Sequence, residues 1–295
     1  MRIAVASGKG GTGKTTVAVH AAVTAASSGI NSVYYVDCDV EEPNGHIFLK
    51  PDIIERETVT VPVPVIDESA CTHCGDCGQI CQFNAIAVIL DKVITFNELC
   101  HGCGGCTRVC PAGAITESTR RIGSVERGVA RIREHETGSK GSALHFVHGR
   151  LDVGEPLAPP VVRRVKERIP DVPLVIIDAP PGASCPVVES VRDSDYVLLV
   201  TEPTPFGLND LEIAVETMRE LHLPIGVVIN RAGTGDDGVK KFCNREGLEI
   251  LDEIPDDRRI AELYSRGELV TDGVAEFEDR MKRILEKITG MEVAE

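Results

Sequence analysis

The octapeptide Gly8-Lys9-Gly10-Gly11-Thr12-Gly13-Lys14-Thr15 sits between an apolar segment, 2–7, and a run of small residues, 15–28, that Gly29 closes. Strand, glycine loop and helix in that order are the context in which GxxxxGK[ST] wraps a phosphate chain. Glycine lets backbone N–H groups close around oxygen without a side-chain clash, and the helix start behind the loop favours negative charge. The spacing places Lys14 against the β- and γ-phosphates and the Thr15 hydroxyl on Mg²⁺. Gly8, Gly10, Gly11, Thr12, Gly13 and Thr16 complete the expected nucleotide contacts. A glycine turn without a ligand is the plain alternative, and the flanking strand and helix argue against it.

The first and last thirds of the chain continue the alternation. Short apolar runs at 32–36, 174–177, 196–200 and 225–229 read as strands, and 186–192 and 208–221 as helices. A last strand is expected at 248–254, before short C-terminal helices. Alternating strands and helices predict an α/β, doubly wound, mostly parallel sheet.

The middle breaks the rhythm. Residues 59–65 alternate valine with Thr60, Pro62 and Pro64 and read as an extended entry linker. Cys71, Cys74, Cys77 and Cys81 then recur 29 positions later as Cys100, Cys103, Cys106 and Cys110, and Ala85-Ile86 recurs as Ala114-Ile115 at the same offset. Two halves of one small module follow from that repeat. The expected organisation is a first nucleotide-domain part at 1–60, an insert at 61–118 and a second part at 119–295. Residues 120–150 should hold one or two β segments, including 143–147, before a helix at 159–168.

Two resemblances rest on these residues. Lys9, in Lys-Gly-Gly-x-Gly-Lys-Thr, resembles the deviant phosphate loop of the MinD/ParA/Mrp/nitrogenase-iron-protein superfamily. There the early lysine reaches across a homodimer to the partner's nucleotide, which implies an ATP-dependent dimer. The same resemblance implies catalytic roles for Lys9, Lys14 and Asp39. Asp39 would orient or deprotonate the attacking water, and Asp37 and Asp178 would support Mg²⁺. Gly182 would sense the γ-phosphate, and Asn230, Pro255 and Asp256 would lie in adenine-contacting loops. The cysteine runs, the second ending in Cys110-Pro111, resemble bacterial two-cluster ferredoxins, whose fourth cysteine serves the other cluster. The implied sets are Cys71, Cys74, Cys77 and Cys110 for one [4Fe–4S] cluster and Cys100, Cys103, Cys106 and Cys81 for the other. Gln82 departs from the pattern where proline is usual. Structural zinc, the rival, favours separated Cys-x2-Cys pairs over compact four-cysteine runs. As a whole the chain resembles a MinD-superfamily ATPase carrying an inserted α+β ferredoxin domain.

Three cysteines lie outside the runs. Cys185, seven residues after Asp178, is the candidate for a metal or cluster bridging two subunits; Cys38 and Cys243 read as packing residues. His145 and His148 would point to opposite faces of a strand and are discounted as a metal pair. The formal charge of −15, 46 acids against 31 bases, disfavours a nucleic-acid partner. The opening Met-Arg-Ile-Ala-Val-Ala shows no export pattern, and no run is long enough to span a bilayer, so a reducing cytoplasm is expected. The apolar stripe Val274, Phe277, Met281, Ile284, Leu285 and Ile288 is expected to dock on the sheet rather than on a membrane. Three functions are compatible: ATP-gated electron transfer through two clusters to a redox partner, ATP-dependent delivery of a cluster or metal to an apo-protein, and spatial organisation. The redox module and acidic charge favour the first two, and the fully ligated clusters favour electron transfer.

Overall fold

The computed structural model describes residues 1–30, 32–132 and 143–290. In chain order the first elements are β1 (Arg2–Ala6), α1 (Lys14–Ser27), β2 (Val33–Asp37), α2 (Gly45–Leu49) and β3 (Asp52–Ile66). The cysteine-rich segment contributes α3 (Asp76–Ile80), β4 (Ile86–Ile89), β5 (Lys92–Thr95) and α4 (Gly105–Val109). Then come β6 (Ile115–Ala130), β7 (Leu144–Leu151), α5 (Ala158–Lys166), β8 (Leu174–Asp178), α6 (Cys185–Val191) and β9 (Tyr196–Thr201). The chain continues through α7 (Pro205–Glu220), β10 (Ile225–Ala232), α8 (Gly238–Glu246), β11 (Glu249–Pro255), α9 (Arg258–Ser265) and α10 (Ala275–Thr289).

Among the described residues nine strands form one sheet in the order β11-β10-β9-β1-β8-β2-β7-β6-β3. The first seven run parallel, and β6 and β3 close the far edge antiparallel. Both faces are covered. Ala4, Val36, Val175 and Leu199 face a core completed by α5 to α8, while Ile3, Val5, Tyr35 and Ile176 face one completed by α1, α9 and α10. Helix α1 is buried on nearly every side, which its alanine and valine sequence tolerates. The apolar stripe of α10 lies in the core with Phe277, Met281, Ile284 and Leu285 buried, so the expected docking holds. Among the described residues no helix is long and apolar enough to cross a membrane.

One expectation is corrected. Residues 59–65 are no linker but the distal half of β3, paired throughout with β6. Strand β3 is the sheet edge, and Pro62 and Pro64, two apart, turn their donor-less nitrogens to the open side, where a ladder loses nothing. Strand β7 pairs with β6 only from Gly123 onward. Beyond that point β3 and β6 leave the sheet as a two-stranded ribbon, with a register shift between Val59 and Thr60 where the third strand stops. The two β segments anticipated between 120 and 150 are β6 and β7; residues 133–142 lie outside the described residues.

The cysteine-rich segment sits at the ribbon's tip. Helices α3 and α4 begin after left-handed glycines, Gly75 (φ 89°) and Gly104 (φ 69°), at equivalent places in the repeat. The repeat also reproduces its hydrogen bonds: Ala85 N–H donates to Cys81 Sγ and Ala114 N–H to Cys110 Sγ, both at 3.3 Å.

Candidate functional site: a phosphate loop and two cysteine-lined cavities

The carboxyl ends of β1, β2, β8, β9 and β10 bring their following residues to one rim, where parallel sheets bind ligands. A cavity of about 390 Å³ opens there, lined by Gly10, Gly11, Gly13, Lys14, Thr15 and Thr16 on one wall and Asp39, Asn230, Pro255 and Asp256 on the others. Of the sequence-predicted nucleotide contacts, Gly8 and Thr12 are outside this lining. Gly8 is pressed against the Asp210 carbonyl, and the Thr12 hydroxyl is buried without a partner. Gly13 has φ +90°, and a Cβ on it would stand 2.2 Å from Asn230 Nδ2, so only glycine fits. That amide donates to the Thr12 carbonyl at 2.8 Å, tying the β10 end to the loop. A wider cavity of about 570 Å³, beside Thr24, Phe48 and Leu269, holds none of the predicted site residues.

Charge is concentrated beneath the loop. Asp37 and Asp178 are opposite each other in the β2/β8 register, and both are fully buried. Lys14 Nζ lies 2.5 Å from Asp178 Oδ1, and Tyr35 donates its hydroxyl to Asp178 Oδ2 at 3.0 Å. Burial works against the Lys14 ammonium, but Asp178 more than reverses it, and the amine sits above its ordinary value. Asp37 accepts the N–H groups of Asp39 (3.1 Å), Asn44 (3.1 Å) and Gly45 (3.0 Å), which folds the 39–45 loop around its carboxylate. Burial and then Asp178 push Asp37 up to about 8, and burial pushes Asp39 up to about 6. With all three aspartates ionised and one lysine the patch carries −2, the donor chemistry that suits a hard divalent cation. The Gly182 N–H donates to the Ser7 carbonyl at 2.8 Å, which stitches the β8 turn to the loop.

Lys9 leaves the pocket. Its ammonium lies 3.4 Å from Glu202 Oε2, whose other oxygen accepts Arg231 Nη1 at 2.6 Å. The sequence reading missed Glu202 and Tyr35, and it placed Arg231 in an adenine-contacting loop rather than on Glu202. Glu202 directly follows β9, the strand-end position that had flagged Asp37 and Asp178, so the same rule would have found it.

Residues 3–270 match the CobQ/CobB/MinD/ParA nucleotide-binding domain family. The chain belongs to that family. A nucleotide and Mg²⁺ therefore fit the rim, as its loop and carboxylates require. An uncharacterised Methanocaldococcus jannaschii protein is 29% identical over 271 residues, covering 91% of this chain and 90% of its own length. The iron-sulfur cluster carrier protein of the same organism is 29% identical over 136 residues, 39% of this chain and 47% of its own. Among solved structures, the septum site-determining protein MinD complexed with Mg-ADP from Pyrococcus horikoshii superposes with a TM-score of 0.59. It covers 98% of this chain and 96% of its own at 18% identity, a likeness of fold.

This family member carries a second candidate site. One cavity in the cysteine-rich segment is lined by Cys71, Cys74, Cys77 and Cys110, the other by Cys81, Cys100, Cys103 and Cys106. Each takes three cysteines from one run and the fourth from the other, the crossed grouping that the resemblance implied. All eleven cysteines are free thiols. Among the described residues no three or more His, Cys, Asp or Glu side chains converge closely enough to hold a single metal ion. The thiols instead stand around the walls of each cavity. His101 stacks on Phe83 at 3.6 Å, and His73 has a left-handed backbone (φ 54°). Cys185 is exposed at the start of α6 and lines neither cysteine cavity nor the nucleotide rim, while Cys38 and Cys243 are buried. His148 pairs with Glu126 at 3.0 Å, whereas His145 stacks on Tyr34.

Proposed function

We propose that this protein hydrolyses ATP as a homodimeric switch in a reducing compartment and couples that switch to electron transfer, through two [4Fe–4S] clusters in its insert, to a redox partner protein. The observation that carries the redox half is the pair of cavities, each walled by four thiols drawn from both runs. Four thiols too far apart to close on one ion suit a multi-atom group better than a lone ion, and the N–H···Sγ contacts of Ala85 and Ala114 supply the donors such a group needs. When bound, the clusters supply one-electron exchange at low potential. Closed four-thiol sets leave no open ligand position, which favours electron flow over release.

The chain's own residues carry the nucleotide chemistry. The loop N–H groups bind the phosphates, and Lys14 exchanges its Asp178 partner for them. The Thr15 hydroxyl and Asp178 would hold Mg²⁺, which offsets the carboxylates that Lys14 leaves behind. Asp39 takes the proton of the attacking water, and its carboxyl value of about 6 suits a base working near neutral pH. Gly182 exchanges the Ser7 carbonyl for the γ-phosphate, so that the turn after β8 moves with nucleotide state. Lys9, on leaving Glu202, would reach the nucleotide of a second copy.

The test is anaerobic isolation with iron and sulfide counted, followed by redox titration with and without ATP. Eight irons per chain and an ATP-dependent potential support the reading. Zinc in place of iron, or potentials indifferent to ATP, overturn it. A second reading, ATP-dependent delivery of a cluster, draws on the exposed Cys185 beside the β8 turn and on the partial likeness to cluster carriers. ATP-stimulated transfer of iron to an apo-acceptor, abolished in Cys185→Ser, would favour it.

A further inference from the structure

The two cysteine sets are not equivalent with respect to the nucleotide domain. The cavity of Cys81, Cys100, Cys103 and Cys106 is walled by Pro62, Pro64 and Glu117 of the β3/β6 ribbon, with Cys100 Sγ 3.8 Å from the Pro62 carbonyl. A Cβ on Gly102 would come within 2.9 Å of Pro62 Cδ, so the loop rests directly on the ribbon. The other cavity abuts Ile66 and Ile115, the ribbon's outer end. One set is proximal to the sheet and the other distal.

Arg120 stands beside the proximal set. It pairs in register with Val61, next to Pro62, and its side chain is only 19% exposed. Both terminal nitrogens grip the Glu155 carboxylate, Nη2 at 3.3 Å, while its buried Nε–H has no partner among the described residues. Glu98 and Cys100 also act on its charge. Glu155 belongs to the loop after β7, in which Asp152 grips Arg121 at 2.9 and 3.2 Å. Leu151, the last residue of β7, donates its N–H to the Val40 carbonyl at 2.8 Å, one residue after Asp39. A continuous bonded connection therefore runs from Val40 in the 39–45 loop, through 151–155, to Arg120, one register position from Pro62 of the proximal cavity wall.

We propose that Arg120, held by Glu155, is the positioning residue through which the nucleotide site sets the reduction potential of a cluster at the proximal cysteines. The inference rests on the electron-transfer reading above. A guanidinium fixed near the cysteines favours the reduced, more negative form of a one-electron couple, and charge and hydrogen bonding around the sulfurs are levers on its potential. Glu155 offsets part of that charge, so a shift of the 151–155 loop alters what the cluster feels.

The experiment is a redox titration monitored by electron paramagnetic resonance, with dithionite as electron donor, on the anaerobically reconstituted full chain. It compares wild type, Arg120→Gln, Arg120→Lys, Glu155→Gln and a control, Arg127→Gln, each with and without a non-hydrolysable ATP analogue. In Arg120→Gln one cluster should become about tenfold harder to reduce at a given potential, about 59 mV for one electron, while the other stays put. The lysine variant should restore part of that shift. The analogue should move the same cluster in wild type and in Arg127→Gln, but not in Arg120→Gln or Glu155→Gln. Where Arg120→Gln loads less iron, Glu155→Gln carries the test, because it keeps the side-chain shape. Equal movement of both clusters, or an analogue effect that persists in Arg120→Gln and Glu155→Gln, overturns the role of Arg120 and leaves the electron-transfer reading standing. A wild type indifferent to the analogue overturns that reading, even where Arg120→Gln still moves one potential.

Discussion

The nucleotide domain and the cysteine-rich insert are held together by different physics. The first buries two large apolar cores, one on each sheet face, and fixes its polar residues at strand ends. The second buries little beyond Cys77, Ile86 and Ile115 and leaves Ile89, Leu90, Ile94 and Phe96 exposed, Leu90 at 89%. A segment with so small a core needs ligation or cross-links to hold its shape, and its cysteines are free thiols. The contrast teaches that the segment's small core leaves it to ligation by its thiols for its order under the proposed function, whereas the rim is preorganised by the sheet.

The sharpest way to break that comparison is to remove iron. Chelation of the reduced protein should open residues 67–114 to protease completely, while the nucleotide domain stays intact and keeps its nucleotide affinity. Loss of both together would show one shared folding unit. Next in size is Asp39→Asn, which should slow ATP hydrolysis by about 10²–10⁴-fold with nucleotide binding retained. In the wild type the rate should rise with pH through about 6, as the Asp39 carboxyl loses its proton. A rate flat across that range would remove Asp39 as the base.

Lys14→Ala should weaken nucleotide binding by about a hundredfold, the scale of a lost charge-assisted bond to phosphate, measurable by calorimetry. Iron content should not change, because the insert does not touch Lys14. The smallest effect concerns α1. His20 receives the Val270 N–H on Nε2 (2.7 Å) and places Nδ1 2.6 Å from the Thr16 carbonyl, and burial holds it down at about 4. The unfolded chain then takes up the proton first, so stability is complete above about pH 6.5 and falls as pH drops toward 4. The loss should be about 1 kcal/mol between pH 7 and 5.5, seen as a lower Tm of the nucleotide domain that His20→Gln makes independent of pH.

Much of this was legible in the chain. Spacing along a few residues encodes the phosphate loop, because loop, strand and helix are contiguous, and the aspartates mark strand ends that a parallel sheet gathers at one rim. The proline-bearing stretch at 59–65 was misread because a proline's tolerance depends on which side of a strand faces a neighbour. Only the edge position of β3 and its pairing with β6 supply that. Lys9 shows the same limit: its local motif points to a phosphate, and Glu202, 193 positions away, decides where its ammonium rests.

By itself, then, the sequence determined the family, the alternating architecture and the two equally spaced runs of four cysteines, since each is written in periods of a few residues. Tertiary structure alone decided that a two-stranded ribbon joins the two regions, that one cysteine set lies nearer the sheet, and that Arg120 meets Glu155. Those outcomes depend on strand pairing and register between segments far apart in the chain, and no local pattern of residue types carries that information.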